Sequence, residues 1–136
     1  MRIVLDTNVL ISSLIKEGKP RQVLTEVLRK HELVASREIM EELAAVSNEP
    51  KIRKYVEQQD ITDFLRDLAM SCQIVRIRSK FKVVREDPDD DAILRTAYDG
   101  KASYIATGDR HLLDMKSFRQ VKIIAIDEML EILKGR

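Results

Sequence analysis

Short, uninterrupted apolar runs alternate along this chain with longer stretches in which apolar residues recur every three or four positions. Residues 2–6 open the series: Ile3, Val4 and Leu5 form a continuous apolar run, the pattern of a short strand buried on both faces. Residues 7–16 predict a helix that ends near Gly18, with Val9, Leu10, Ser13 and Leu14 on one side. Pro20 fits the first turn of a second helix, where its missing N–H costs little, and Val23, Leu24, Val27 and Leu28 supply the apolar stripe. Residues 33–35 predict a second strand, and Ser36 is a good N-cap for a helix carrying Ile39, Met40, Leu43 and Val46. Pro50 separates that helix from a small one around 52–57, and Asp60 or Thr62 caps a further helix with Phe64, Leu65 and Leu68. Residues 74–77 predict a third strand. Asp87 and Pro88 open a helix running through Ile93, Leu94 and Ala97 to Gly100. Residues 103–106 and 121–126 predict the fourth and fifth strands, and Asp127 caps a last amphipathic helix with Met129, Leu130 and Leu133.

Strands of this length alternating with helices predict right-handed crossovers and a parallel sheet covered on both faces. The expected fold is a three-layer α/β/α sandwich with a central, mostly parallel five-stranded sheet. With 136 residues and sparse punctuation (four Gly, three Pro, no repeat), residues 1–136 read as a single domain. In such folds ligands gather beyond the carboxyl ends of the strands, where the strand order reverses.

Acids stand at those ends. Asp6 closes the first strand, and Asp109 follows the fourth by the short turn Thr107-Gly108. Asp87, Asp89, Asp90 and Asp91 crowd the start of one helix, and Glu42 lies within another. Singly, each has an ordinary explanation: an N-cap for Asp6 and Asp109, a solvated helix face for Glu42. One cap needs only one Asp, however, and three more in the same turn exceed that need. Carboxylates converging on one crevice repel each other and cannot all stay ionised without a counter-charge. A divalent cation removes the conflict. An all-oxygen donor set, with no Cys–His cluster in the chain, selects Mg²⁺ or Mn²⁺ over zinc, and such an ion suits phosphodiester cleavage. Asn8 and Thr107 are placed to position water or phosphate by hydrogen bonding.

Other chemistries are less favoured. Cys72 sits in an apolar context with no base nearby, which fits core packing. His111 suits a surface or outer role better than metal ligation, and His31 suits a helix C-terminus. No GxSxG elbow, GxGxxG turn or Walker loop occurs. A single cysteine excludes an internal disulfide framework and fits a reducing, cytoplasmic compartment. No apolar run approaches the ~18–20 residues of a membrane span, and an acid by residue 6 argues against a signal peptide.

Four segments carry a resemblance: Leu5-Asp6-Thr7-Asn8-Val9-Leu10-Ile11-Ser12-Ser13, Asp87-Pro88-Asp89-Asp90-Asp91-Ala92-Ile93-Leu94, Tyr104-Ile105-Ala106-Thr107-Gly108-Asp109 and, more weakly, Ser36-Arg37-Glu38-Ile39-Met40-Glu41-Glu42-Leu43. In this order over the whole chain they resemble the PIN-domain ribonuclease family, and within it the VapC-like toxins of toxin–antitoxin pairs. The resemblance implies a metal-dependent ribonuclease with a four-acid site: Asp6, Glu42, Asp90 and Asp109, holding one or two Mg²⁺ or Mn²⁺ ions that activate water for in-line attack on phosphorus. Aligning the helix of Ile93, Leu94 and Ala97 favours Asp90, while counting back from Asp109 favours Asp91. Asp90 is chosen, with Asp87 and Asp91 as neighbours that hold water or metal. Glu41 rivals Glu42, since adjacent helical residues point about 100° apart. The family also implies a homodimer and a small antitoxin protein as partner. Apolar residues around 52–56 and 64–68 are candidates for the dimer face or simply for the core.

Charge refines this expectation. The totals, 24 Lys+Arg against 23 Asp+Glu, leave a formal net charge of only +1, which argues against a grip on nucleic acid by overall charge. Locally, Arg76, Arg78, Lys80 and Lys82 recur every second residue just before the acidic run. If the third strand continues past Ile77, these side chains share one face, as a solvated edge or as an RNA-contact rim. Lys16 and Arg110 are further RNA-contact candidates, with Lys19 and Arg21 near the first. Phe81 alone among the aromatics lies inside the stripe, so base stacking has little support. Two other classes compete with the enzyme reading. One is a catalytically silent PIN domain acting as an RNA-binding or assembly module; every acid of the family site has a candidate here, which disfavours it. The other, a receiver-like phosphoacceptor domain, needs a Lys after the last strand, where Asp127-Glu128 stand instead.

Overall fold

Ile3, Val4 and Leu5 are all buried. Successive strand side chains point to opposite faces, so three buried in a row mean that both faces of this strand are covered. The structure, a computed structural model, describes residues 1–83 and 88–135. Its elements run β1 (Arg2–Leu5), α1 (Thr7–Ile15), α2 (Lys19–Lys30), β2 (Glu32–Ser36), α3 (Arg37–Ser47), α4 (Pro50–Arg53), α5 (Gln58–Ser71), β3 (Gln73–Val75), α6 (Pro88–Asp99), β4 (Tyr104–Ala106), α7 (Arg110–Met115), β5 (Ser117–Phe118), β6 (Val121–Ile124) and α8 (Ile126–Leu133). The sheet order is β3-β2-β1-β4-β6-β5, parallel throughout except for the β5–β6 pair. Crossovers from β1 to β2 to β3 step one way and those from β3 to β4 to β6 the other. The order therefore reverses between β1 and β4, and right-handed crossovers on either side of that point place helices on both faces. The expected α/β/α sandwich is the observed one, with six strands rather than five.

The additional strand explains its own omission. Phe118 and Val121 pair across a two-residue turn whose central residues, Arg119 and Gln120, both have positive φ (45° and 77°). Hairpin turns of this hand are normally announced by Asn-Gly or Asp-Gly; Arg-Gln carries no such signal. The cost of left-handed backbone at non-glycine residues, about 1–2 kcal/mol each, is offset in part by the Arg119 guanidinium. It stacks over Phe81 at 4.6 Å, Tyr98 at 5.0 Å and Phe118 at 5.1 Å, contacts worth roughly 0.5–1 kcal/mol each at exposed sites.

Several element ends depart from expectation: α4 takes Pro50 into its first turn and ends at Arg53 rather than near 57, and β6 ends at Ile124, two residues early, where α8 takes over. Helix α5 starts at Gln58 after Glu57, ahead of both Asp60 and Thr62, because its buried stripe begins at Ile61 and needs a full turn before it. Helix α8 starts at Ile126 with Ala125 at the N-cap, so Asp127 lies in the first turn rather than capping it. Strand β3 stops at Val75, short of Ile77. Ser36 caps α3 as expected, its hydroxyl accepting the Ile39 amide at 3.3 Å. The Ile52–Val56 and Phe64–Leu68 regions complete the core: Ile52, Val56 and Leu68 are buried and Phe64 and Leu65 pack against them. Cys72 is half-buried against the same core, and burial raises its thiol pKa, so it stays protonated. No helix among the described residues is long and apolar enough to cross a membrane.

Gly100 fixes how closely the C-terminal end of α6 approaches the sheet. A Cβ there would stand 2.7 Å from Val34 Cγ1 and 2.8 Å from the Thr96 carbonyl oxygen, and Arg2 Nη1 donates to the Gly100 carbonyl at 2.8 Å. Helix, strand and tether leave that backbone nowhere to move. Gly100→Ala is expected to destabilise the fold by about 1–3 kcal/mol, read as a lower midpoint in urea with the slope unchanged.

Candidate active site

Asp6 is the first residue beyond β1 and sits at the N-cap of α1, on the side of the sheet where the strand order reverses. Its amide donates to the Ala106 carbonyl at 3.1 Å, so the ends of β1 and β4 are locked together there. The carboxyl is 7% exposed and makes no side-chain cap to α1. Instead, Oδ2 accepts the Thr107 hydroxyl at 2.6 Å, and Thr107 Oγ1 in turn accepts the Asp109 amide at 2.9 Å. Thr107 is fully buried and its own amide donates to Ile124 at 3.0 Å. A chain of two hydrogen bonds, anchored in the sheet, thus ties Asp109 to Asp6.

Asp109 also caps α7, its Oδ1 accepting the His111 amide at 2.8 Å. The ordinary explanation therefore holds for Asp109, yet capping occupies only one of its oxygens. His111 contributes its amide and is itself exposed. Burial pushes the Asp6 carboxyl above its usual range. The Thr107 hydroxyl and the amides of Thr7 and Asn8 pull it back, and the charge of Asp109 pushes it up again. Among the described residues no Lys or Arg forms a salt bridge with Asp6 or Asp109. A buried carboxyl beside a second one, with no described cation paired to either, is an arrangement that a divalent cation completes.

The other acids fall around this pair. Thr7, buried at the first position of α1, donates its hydroxyl to Glu42 Oε2 at 3.1 Å. Glu41 points away: it is 69% exposed and pairs with Arg37 one turn back. Of the two, Glu42 is the one that meets α1 beside Asp6. Asp90 and Asp91 are both buried in the first turn of α6, a helix that packs against β1 and α3. Asp91 directs Oδ1 to the Val83 amide at 2.8 Å, so at least one of its oxygens serves the backbone before it. Asp87 lies outside the described residues. The Thr96 hydroxyl of α6 lies 2.8 Å from that of Ser36 at the start of α3, which ties the two acid-bearing helices together. Among the described residues no three acids stand close enough to form a metal cluster as they are. The structure brings together a pair, Asp6 and Asp109, with Glu42 held through Thr7 and Asp90 in a neighbouring first turn.

Several candidate contacts lie elsewhere. Asn8 is exposed beside the pair, and Arg110 is exposed next to Asp109. Lys16 follows the last residue of α1, about 15 Å along the helix axis from Asp6 at 1.5 Å per residue. Lys19 pairs with Asp127 and Arg21 donates to the carbonyls of Ser13 and Leu14. Sequence reasoning overlooked Thr7 and the Ser36–Thr96 pair. The signal for Thr7 was a lone small polar residue at the start of an otherwise apolar helical face.

A family model described as PIN domain matches residues 2–111. Uncharacterized protein MJ1680 of Methanocaldococcus jannaschii is 32% identical over 120 residues, covering 85% of this chain and 76% of that protein. Among solved structures, a chain of VapBC2 from Rickettsia felis, in a complex bound to a DNA fragment from its promoter, has a TM-score of 0.63 at 14% identity. The match covers 92% of this chain and 98% of the other.

The raised Asp6 pKa has a measurable sign. A carboxyl whose pKa is higher folded than unfolded favours the fold only while protonated, so its contribution is lost as pH rises through the folded value. In EDTA at pH 7, Asp6→Asn is expected to melt a few degrees above the wild type, because the Asn carbonyl still accepts from Thr107 without carrying charge. The gap closes as pH falls far enough to protonate Asp6, and millimolar Mg²⁺ raises the melting temperature of the wild type alone. Thermal melts over a pH series check this.

Proposed function

The chain belongs to the PIN-domain family, and from that premise we propose that it is a ribonuclease dependent on Mg²⁺ or Mn²⁺ and the toxin of a toxin–antitoxin pair. The observation that carries the nuclease reading is the buried Asp6 carboxyl tied through Thr107 to Asp109, two acids with no described cationic partner at the reversal point of the sheet. The donors fit a hard divalent cation: carboxylate oxygens, with no thiolate or imidazole among them. Asp6, Asp90, Asp109 and Glu42 would hold it. When bound, such an ion supplies Lewis-acid stabilisation at the phosphate and lowers the pKa of water.

The chain's own residues supply the preorganisation. Thr107 orients Oδ2 of Asp6, and the amides of Thr7 and Asn8 add to the field that holds the carboxyl. The Asp109 amide fixes Thr107, and the α7 cap fixes Asp109, so neither carboxylate must reorganise when charge arrives. Thr7 plays the corresponding part for Glu42. Burial of Asp6 and Thr107 excludes water from behind the carboxylates, which strengthens every charge interaction in front of them. The fold shared with the VapBC2 chain supports a small antitoxin protein as partner.

Purified protein is expected to cleave single-stranded RNA with Mg²⁺ or Mn²⁺ and not with EDTA. Asp6→Asn and Asp109→Asn are each expected to lose more than about 100-fold in rate, and Thr7→Val about 10–100-fold, as for an outer partner of a ligand. Circular dichroism spectra that match the wild type would tie these losses to the site. Metal-independent binding of RNA without cleavage would replace the enzyme by a silent PIN module.

A further inference from the structure

Residues 76–83, between β3 and the undescribed residues before α6, form an extended strap with no strand pairing. It nevertheless keeps a period of two: Ile77, Ser79 and Phe81 are half-buried, while Arg76, Arg78, Lys80 and Lys82 are exposed. A row of α6 side chains replaces the missing ladder. Asp99 Oδ2 accepts the amides of Arg78 and Ser79 at 2.9 and 3.1 Å and the Ser79 hydroxyl at 2.8 Å. Arg95 donates Nε and Nη2 to the Phe81 carbonyl at 2.8 and 2.6 Å. Asp91 accepts the Val83 amide at 2.8 Å.

Asp91, Arg95 and Asp99 are spaced i, i+4, i+8, one row on the helix. Four helical residues rise about 6.0 Å, and two extended residues advance about 6.6 Å. The registers agree, so each helical turn addresses every second residue of the strap. The strap runs antiparallel to α6, towards the turn that holds Asp90. Phe81 pins its rotation, packed edge-on to Tyr98 with centroids 5.8 Å apart and beside Phe118 at 5.0 Å. Arg76, Arg78, Lys80 and Lys82 are thereby held in one outward row about 6.6 Å apart. None forms a salt bridge among the described residues, although Arg78 lies within electrostatic reach of Asp99. Four like charges fixed in line repel one another, and the helix row maintains that line.

We propose that this strap is a rail for single-stranded RNA on one side of the scissile bond, with successive phosphates meeting Lys82, Lys80, Arg78 and Arg76 in order away from the α6 turn that holds Asp90. The proposal rests on the ribonuclease reading and extends it to the path and direction of the substrate backbone. A straight row of evenly spaced cations matches an extended strand, whose every unit carries a charge whatever its sequence. A-form duplex curves away from such a row. The inward-facing Phe81 offers no base a stacking surface, so the rail holds backbone without selecting sequence.

The test uses the full chain carrying Asp6→Asn, so that binding is measured without turnover. Binding of a 20-nucleotide RNA is followed against salt, single-stranded and as a duplex. Changing Arg76, Arg78, Lys80 and Lys82 to Gln one at a time is expected to flatten the log–log salt slope by about 0.7 per charge, and by about 2.8 together. The combined variant should bind single strands at least tenfold more weakly at 50 mM salt, and in the Asp6 form the loss should lie in KM rather than kcat. Lys80→Arg should restore the slope, and melting curves should match throughout. An unchanged slope, a duplex bound as tightly as the single strand, or displacement of RNA by equal concentrations of poly-glutamate would overturn the rail. Undiminished cleavage by the combined variant would remove the rail and keep the ribonuclease. Strap-dependent binding in a wild type that cleaves no RNA would do the opposite.

Discussion

The hydrogen bond from Thr107 to Asp6 joins residues 101 positions apart in sequence at the one point where the sheet changes direction. It forms only because β1 and β4, neighbours in space, both end there, with the Asp6 amide closing onto Ala106. A parallel sheet that winds both ways leaves a crevice at that junction, since the helices leaving the two strands go to different faces. Burying a carboxylate in such a crevice is unfavourable without a donor, and Thr107 supplies one. The donor lessens the desolvation cost without cancelling it, so the site stays short of positive charge while the fold around it is already complete.

Charge in this chain is organised by position, not by total. The net charge of +1 conceals an acidic crevice and, tethered along α6, a basic strap. Salt screening treats the two differently: exposed strap cations act over roughly a Debye length, about 8–10 Å at ordinary ionic strength, whereas the buried Asp6 is screened little.

What the sequence made legible follows from how locally each feature is encoded. Strand β1, the Ser36 cap and the buried stripe of α3 are written in contiguous residues, and Asp6 and Asp109 stand out because they end such segments. The β5–β6 hairpin was not legible, because its turn residues, Arg119 and Gln120, obtain their stability from rings on Phe81, Tyr98 and Phe118 rather than from intrinsic preference. Which of Glu41 and Glu42 turns towards α1 depends on Thr7, a residue on another helix. The end of β3 was misjudged for a similar reason. Alternation of side chains between Val75 and Lys82 suggests a continuing strand, but the partner that enforces the alternation is a helix, through Asp91, Arg95 and Asp99.

That helix is also what couples the two charge populations. Helix α6 presents Asp90 and Asp91 in its buried first turn and runs its i, i+4, i+8 row down the strap. Ser36 and Thr96 fasten it to α3, which carries Glu42, and Gly100 lets its far end close against Val34 and Val75. A rigid element fastened at both ends fixes distance as well as direction. The basic row cannot slide relative to the first turn of α6 without breaking the bonds to Val83, Phe81 and Ser79 together. Because the helical rise of four residues nearly equals the advance of two extended ones, that register is the only one in which every tether is satisfied. A one-residue slip would turn the cations inward against α6 and expose Phe81, and the cost of burying unpaired charge selects against it.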